Sequence, residues 1–169
     1  MTSPILNSVA LITGGSAGLG AATARAFAAL KMRVVINYHT DSERASSLVK
    51  ELSEISQSVG LSDNSEKRFL AIKADVSSRS DLTRLVETTV AEMGQLDVVF
   101  SNAGWTRLTN FTDLDANVND EDWDRCFNMN VKSHLYLMHA AREYLKASKG
   151  SFIMTASAAG VKPIGSSLV

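Results

Sequence analysis

The sequence predicts an α/β fold in which a doubly wound parallel sheet is covered by helices on both faces. Short runs rich in β-branched residues alternate with longer stretches of helical period, which is the pattern of βαβ units. Hydrophobic residues make up 45% of the 169 positions and charged residues 21%, and only 2 prolines occur. This composition supplies one apolar core without the bias of a disordered chain, so we expect a single domain over residues 1–169.

The first half of the sequence contains three predicted strands and two predicted helices. We expect strands at residues 9–13, 33–37 and 69–73, where apolar and β-branched residues cluster. Helices are expected at residues 18–31 and 41–59, and a linker rich in Ser, Asp and Asn follows at 60–67. Neither that linker nor the polar second helix has the features of a domain boundary.

The third predicted helix has the clearest end signals. Ser80 can cap its N-terminus, and Gly94 lies where a left-handed C-terminal cap is expected. Apolar residues recur between them at helical spacing, namely Leu82, Leu85, Val86, Val90 and Met93. A fourth strand is then expected at residues 96–101.

A polar loop over residues 105–119 leads into a long helix that ends at Gly150. One apolar stripe runs along this helix, made of Trp123, Phe127, Val131, Leu135, Met138 and Leu145. A fifth strand is expected at residues 151–155. Because a parallel sheet needs helices on both faces, we expect this strand to be an exposed apolar edge and a further segment to be missing after residue 169.

Charge and composition disfavour several classes of function. The net charge is -1, from 17 basic and 18 acidic residues without a basic run, so no nucleic-acid partner is expected. The single Cys126 and the scattered His39, His134 and His139 lack metal-ligand spacing, so no metal site is expected. The N-terminus has no signal-peptide pattern and no run of about 18 apolar residues occurs, so we expect a cytoplasmic protein without a membrane contact.

A glycine-rich turn connects the first predicted strand to the first predicted helix. Its glycines are spaced Gly-x-x-x-Gly-x-Gly, at Gly14, Gly18 and Gly20. One glycine permits the tight bend, another lets the backbone approach a pyrophosphate, and Gly20 lets helix and strand pack closely, while the helix N-terminus favours phosphate charge. The alternative is a plain glycine-rich turn, but the flanking strand and helix favour nucleotide binding.

The segment Thr-Gly-Gly-Ser-Ala-Gly-Leu-Gly over residues 13–20 resembles the cofactor fingerprint of the short-chain dehydrogenase/reductase family. Further segments that resemble landmarks of this family follow in order: Asp75-Val76, Ser101-Asn102-Ala103-Gly104, Met129-Asn130-Val131 and Thr155-Ala156-Ser157-Ala158-Ala159-Gly160. The resemblance covers essentially the whole chain, and the glycine spacing is typical of the classical, reductase-like branch. It implies a Rossmann-type sheet with strand order 3-2-1-4-5, here without the last strands and helices of the family.

The resemblance also implies roles for individual residues. The residues expected to contact a dinucleotide are Gly14, Ser16, Gly18, Leu19, Gly20, Asn37, Tyr38, Asp75, Val76, Asn102, Ala103 and Gly104. Ser157 matches the serine that hydrogen-bonds the substrate oxygen, and Asn130 matches the asparagine that supports a water-mediated proton path.

Each polar landmark has an ordinary structural alternative. Asp75 could cap the following turn, and Asn130 could be a tolerated polar residue within a helix. Ser157 could be a hydroxyl at a strand end. For Asn102, joining two strands and contacting a cofactor are equally open.

The implied reaction is hydride transfer between nicotinamide and a carbonyl or alcohol substrate. The tyrosine and lysine that complete the catalytic set of the family are expected a dozen or so residues past Ser157, and no upstream Tyr38, Tyr136 or Tyr144 replaces them. We therefore expect the 169-residue chain to be inactive alone, although the full-length form would be an enzyme and a homo-oligomer. The alternatives are a non-catalytic dinucleotide-binding module and a non-functional truncated product.

The choice of cofactor depends on the end of the second strand. NAD-selective relatives place an acidic side chain there, which bonds the ribose hydroxyls and repels a 2′-phosphate. Here Asn37 and Tyr38 are followed by no acid until Asp41, while Ser16 and Arg44 could reach a phosphate. NADP(H) is favoured over NAD(H); the alternative is that Asn37 and Tyr38 only finish the strand and Arg44 is a solvated helix residue.

Overall fold

A computed structural model describes residues 5–60 and 67–162. It contains one sheet of five parallel strands in the order β3-β2-β1-β4-β5. The strands are β1 (Val9–Ile12), β2 (Arg33–Tyr38), β3 (Phe69–Lys73), β4 (Val98–Ser101) and β5 (Ser151–Met154). The predicted fold class and strand order are confirmed, while the predicted linker lies largely outside the described residues.

Helices cover both faces of the sheet, because side chains of the central strands alternate between two cores. Val9 and Leu11 contribute to the core beneath α3 (Arg79–Met93) and α5 (Ser133–Ser148). Ile12 and Ile36 contribute to the opposite core, beneath α1 (Gly18–Ala29) and α2 (Ser42–Ser58). All four residues of β1 are 0% exposed. A strand buried on both faces reads as a continuous apolar run, as the sequence of β1 does.

The helix ends follow ordinary capping chemistry, with one correction to the predicted caps. The N-terminal cap of α3 is Ser78 and not Ser80, since the Ser78 hydroxyl accepts a hydrogen bond from the Asp81 amide at 3.3 Å. Ser80 instead shares a hydrogen bond with the Ser78 hydroxyl at 3.0 Å. The predicted C-terminal cap is confirmed, because Gly94 adopts the left-handed conformation with φ 77°.

The predicted long helix is divided into α4 (Asp120–Phe127), a π-helical segment (Asn128–Lys132) and α5. An apolar stripe ordinarily faces the core, but five members of the predicted stripe are 37–64% exposed: Trp123, Phe127, Val131, Leu135 and Met138. The line that packs inward is Ser133, Leu137, Ala141 and Leu145, in which small residues alternate with leucine and let α5 approach α3. The helix has two apolar faces, and periodicity alone does not identify the buried one.

β5 lies at the edge of the sheet, and its last residues are open to solvent. Ile153 is 47% exposed and Met154 58%, which confirms the predicted exposed apolar edge. The helix before it ends with Lys149 in the left-handed conformation, at φ 55°. Gly150 is required for another reason, since a Cβ there would overlap the main chain of Asp97. Among the described residues, no helix has the length and apolarity needed to cross a membrane.

Candidate functional site

The turn between β1 and α1 has a backbone conformation that favours glycine at two positions. Gly14 has φ +59° and Gly18 has φ +50°, both in the left-handed region. At Gly20, a Cβ would overlap the carbonyl oxygen of Gly14 and lie 2.9 Å from Nδ2 of Asn102. The absence of a side chain at Gly20 therefore lets α1 begin directly against the turn, as the sequence predicts.

The N-terminus of α1 presents free main-chain donors at the carboxyl edge of the sheet. Its N-terminal cap position is Ala17, which has no side-chain acceptor, and its first turn contains no acidic residue. Gly18 has open space around it, and Leu19 is 58% exposed. Main-chain N–H groups without a protein acceptor and the positive end of the helix dipole together favour a bound phosphate.

The end of β2 has one fully buried residue and one half-buried residue, the second of which packs against the core beneath α1 and α2. Asn37 is 2% exposed, and its amide is directed into hydrogen bonds within the protein. Tyr38 is half-buried at the strand end. Asp41 caps α2 by accepting a hydrogen bond from the Arg44 amide at 2.8 Å, and its carboxylate lies 3.0 Å from the Arg44 guanidinium. The carboxylate of Asp41 is therefore held by α2.

A cleft of about 420 Å³ opens between the glycine turn and the groove of α1 and α2. Ser16 and Arg44 both line this cleft. Arg25 and Glu51 also line the cleft, and their side chains form a two-pronged ion pair with nitrogen–oxygen distances of 2.6 and 2.9 Å. This pair lowers the pKa of Glu51 through its hydrogen bond from Arg25. Arg44 pairs with the exposed Asp41 and not through a two-pronged bond, so it is held less firmly than Arg25, the other arginine of this cleft.

The residues after β3 form a tight turn in which Asp75 acts as a local cap. Its carboxylate accepts hydrogen bonds from the amide of Ser77 at 2.9 Å and from the hydroxyl of Ser77 at 2.7 Å. The Asp75 amide donates to Asp81 at 2.8 Å, and this bond holds the pKa of Asp81 below its ordinary value. Val76 is buried. The capping alternative for Asp75 is therefore observed, and its half-buried carboxylate remains at the site edge.

The residues after β4 are tied to both neighbouring strands. The hydroxyl of buried Thr13 accepts hydrogen bonds from the amides of Asn102 and Ala103 at 2.9 and 3.1 Å. The side-chain Nδ2 of Asn102 donates to the Thr13 carbonyl, and its side-chain Oδ1 accepts from the Thr155 hydroxyl, both at 3.1 Å. Asn102 therefore joins β1, β4 and β5, which is the structural alternative. Thr13 was part of the sequence motif, but its role as an acceptor was not predicted.

Asn130 lies in the π-helical segment and holds the loop that follows β4. Its oxygen accepts a hydrogen bond from the Trp105 amide at 2.7 Å, and its Nδ2 donates to the Trp105 carbonyl at 2.6 Å. A Cβ at Gly104 would lie 3.1 Å from the same oxygen. The guanidinium of Arg125 covers the Trp105 ring, 4.6 Å from its centroid. Single π-helical turns are frequent at functional sites, and here the insertion brings Asn130 to the loop.

Ser157 is exposed beyond the end of β5. Its hydroxyl accepts a hydrogen bond from the Ala159 amide at 3.2 Å, which caps a single 3₁₀ turn (Ala158–Gly160).

A pair for which the sequence contained no signal is formed by Ser101, the last residue of β4, and His134 of α5, whose Oγ and Nδ1 lie 2.6 Å apart. Burial lowers the pKa of His134. In the described residues, no group of three His, Cys, Asp or Glu side chains is placed to hold a metal ion.

The family model described as short chain dehydrogenase matches residues 8–169. The chain is 35% identical over 161 residues to the putative ketoacyl reductase 2 of the granaticin polyketide synthase of Streptomyces violaceoruber, with 95% of this chain and 59% of that protein covered. It is 34% identical over 159 residues to a probable tetrahydroxynaphthalene reductase of Zymoseptoria tritici, with coverages of 94% and 54%. The chain therefore spans little more than half the length of these curated relatives.

Solved structures with the same fold include nicotinamide dinucleotide complexes. An NADH-dependent reductase complexed with NAD has a TM-score of 0.83 and 27% identity, with 98% of this chain and 66% of that chain covered. A short chain dehydrogenase of Burkholderia cenocepacia in complex with NADP has a TM-score of 0.81 and 27% identity, with coverages of 97% and 61%.

Proposed function

The chain belongs to the short-chain dehydrogenase family, and we propose that it is the cofactor-binding part of an NADP(H)-dependent oxidoreductase. The observation that supports this proposal most directly is the N-terminus of α1, where the glycine turn leaves main-chain donors open to solvent. A diphosphate fits this position because its charge meets the helix dipole and its oxygens meet unpaired N–H groups.

The remaining predicted contacts are arranged along the same edge of the sheet. Gly18 and Leu19 would hold the diphosphate, while Asp75 would face the adenine end. Ala103 and Gly104, at the end of β4, would lie along the nicotinamide half. This order follows from the rule that ligands of open parallel sheets bind outside the carboxyl ends of strands, where the strand order reverses. Nicotinamide, when bound, supplies or accepts a hydride.

The proposal of NADP(H) is supported by Arg44 and Ser16, which both line one cleft beside the turn. The nearest acid in sequence, Asp41, is engaged as the cap of α2. The Arg44–Asp41 pair is exposed, so exchanging the carboxylate for a 2′-phosphate costs little free energy. A phosphate carries more charge than the carboxylate and accepts hydrogen bonds from arginine in the same geometry.

The catalytic proposal concerns Ser157 and Asn130. Ser157 would donate a hydrogen bond to the carbonyl oxygen of a small carbonyl or alcohol substrate, and Asn130 would hold the loop at Trp105 beside it. No Tyr-x-x-x-Lys spacing occurs in the 169 residues, so a polypeptide of this sequence lacks the acid/base pair of the resemblance. We expect it to bind cofactor with negligible turnover, which is also what a non-catalytic dinucleotide-binding module would do.

Other features of the whole protein stay predictions. These are self-association of a longer form, a cytoplasmic location, a single domain, and the lack of nucleic-acid, membrane and metal partners. Turnover measured with NADPH and a panel of ketones and quinones tests the expected inactivity, and consumption of NADPH well above a no-enzyme blank would contradict it.

Fluorescence titration tests the cofactor proposal. The unchanged chain should bind NADPH more tightly than NADH, and Arg44→Ala should weaken NADPH binding by about tenfold while changing the Kd of NADH less than about twofold. Arg142→Ala is the matched control, because Arg142 is an exposed arginine of α5 that pairs with Glu143 on the other face of the sheet. Undetectable NADPH binding would contradict the function, and equal losses for both cofactors would contradict the NADP(H) preference alone.

A further inference from the structure

Asn37 is a buried polar residue at the point where three segments of the carboxyl edge meet. It is 2% exposed, and its side-chain oxygen accepts a hydrogen bond from the Gly14 amide at 3.2 Å. Its main-chain oxygen accepts one from the Gly15 amide at 2.9 Å. The two consecutive N–H groups at the start of the glycine turn are therefore both held by residue 37.

The other end of the same side chain is tied to β3. Nδ2 donates to the carbonyl of Ala74 at 2.9 Å, and the carbonyls of Tyr38 and Ile72 lie at 3.2 and 3.4 Å. Ala74 immediately precedes Asp75, the residue proposed to face the adenine. One amide thus connects the diphosphate turn to the adenine end of the site.

The residue type follows from this hydrogen-bond pattern. The pocket offers one donor, the Gly14 N–H, and several carbonyl acceptors, and an amide of this length carries both an acceptor and an NH₂ group. Aspartate would accept from Gly14 but would face the carbonyls without a proton to donate. Serine would leave buried groups without a partner, which costs about 1–3 kcal/mol for each group.

We propose that Asn37 is a positioning residue for dinucleotide binding, which fixes the Gly14–Gly15 turn relative to Asp75 so that the diphosphate and adenine contacts form together. This inference rests on the proposed function, and it differs from the expectation that Asn37 contacts the dinucleotide directly. Cofactor affinity should depend on Asn37 although its side chain is occupied within the protein. The loss of affinity on changing Asn37 should be larger for ligands that contain both a diphosphate and an adenine.

The test compares Asn37→Ser and Asn37→Asp with Val34→Ala, a control on the same strand. Val34 is 0% exposed and pairs in register with Phe69 of β3, so its truncation destabilises the same strand pair without touching the turn. Binding of NADPH is measured by titration at a temperature where all variants are folded. Both Asn37 variants should raise the Kd about tenfold or more, whereas Val34→Ala should stay within about twofold of the unchanged chain.

Amide hydrogen exchange without ligand keeps the inference separate from the proposed function. The Gly14 amide should exchange at least about tenfold faster in Asn37→Ser than in Val34→Ala, because its acceptor has been removed. If the unchanged chain does not bind NADPH while Gly14 still responds in this way, the cofactor proposal fails and takes the dinucleotide part of the inference with it, while the hold of Asn37 on the Gly14–Gly15 turn stands. Equal Gly14 exchange in the two variants, or equal Kd values in chains that bind, would overturn the positioning role.

Discussion

Replacing Gly20 by alanine separates two opposing effects at the start of α1. Alanine is favoured over glycine within a helix by about 1 kcal/mol, so propensity alone predicts a more stable protein. The added Cβ would lie 2.9 Å from Nδ2 of Asn102 and 3.0 Å from the carbonyl carbon of Gly14, and the Gly14 oxygen is nearer still. The nearest obstacle is main chain, which does not turn aside as a flexible side chain would.

The steric cost should exceed the gain in propensity. Overpacking a close contact costs about 1–3 kcal/mol, and main-chain neighbours place Gly20→Ala at the upper end of that range. Subtracting the propensity gain leaves a loss of about 1–2 kcal/mol, which corresponds to a fall in Tm of about 4 °C for a chain of this size. Since Gly14 and Asn102 must move, the Kd of NADPH should rise at least about tenfold.

Calorimetry and NADPH titration measure the two effects, with Gly94→Ala as the control. Gly94 caps α3 at φ +77° with open space around it, so alanine there costs about 1 kcal/mol of conformational strain away from the site. Its Tm should fall while its Kd for NADPH stays within about twofold. A Gly20→Ala protein with a raised Tm and unchanged affinity would refute the close-approach argument.

Three other substitutions test separate parts of the structure. Burial lowers the pKa of His134 from 6.5, so the unfolded chain takes up the proton first as the pH drops. Stability therefore falls as the pH drops through and below about 6.5. His134→Gln should make the urea midpoint depend less on pH between about pH 7 and 5, and an unchanged pH dependence would contradict this. Lys149→Gly should raise the free energy of unfolding by about 1 kcal/mol, because Lys149 has φ 55°, and a loss in urea titrations would count against it. Ser56→Ala should raise Tm by about 2 °C, since the buried Ser56 hydroxyl lacks a partner in the described structure; a lower Tm would indicate a hydrogen bond there.

The fold was predictable because its central strands are buried on both faces. β1 and the centre of β2, residues 34–36, read as uninterrupted apolar runs, and the glycine turn between β1 and α1 carries its own spacing signal. Predicted strand bounds differ from the observed ones by two residues at most, as at the start of β4, where Val98 rather than Leu96 begins the ladder. The strands and the glycine turn depend on patterns of neighbouring residues, which can be read from the sequence.

The features that sequence reasoning missed depend on contacts between distant segments. The hydrogen-bond partners of Asn37, Gly14 and Ala74, are 23 and 37 positions away, so these bonds left no local signal in the sequence. The exposed stripe through Phe127 consists of large apolar residues, whereas the buried line through Leu137 includes Ser133 and Ala141, so hydropathy favoured the wrong face. The π-helical insertion around Asn130 also left no periodic signal, because one extra residue per turn barely changes an apolar pattern.

The carboxyl edge of the sheet is tied by several hydrogen bonds at the glycine turn and by fewer at the end of β5, which bears on the proposed function. The glycine turn is fixed from one side by Asn37 and from the other by Thr13, through hydrogen bonds of 2.9–3.2 Å. Ser157 follows the exposed end of β5, and its described side-chain bond is the one from Ala159. Binding a dinucleotide needs the first region to be preorganised, whereas the proposed catalysis would also need a proton donor held against a substrate oxygen beside Ser157. Cofactor affinity should therefore survive changes around β5 that abolish any turnover, and it should be lost through changes at Gly20 or Asn37.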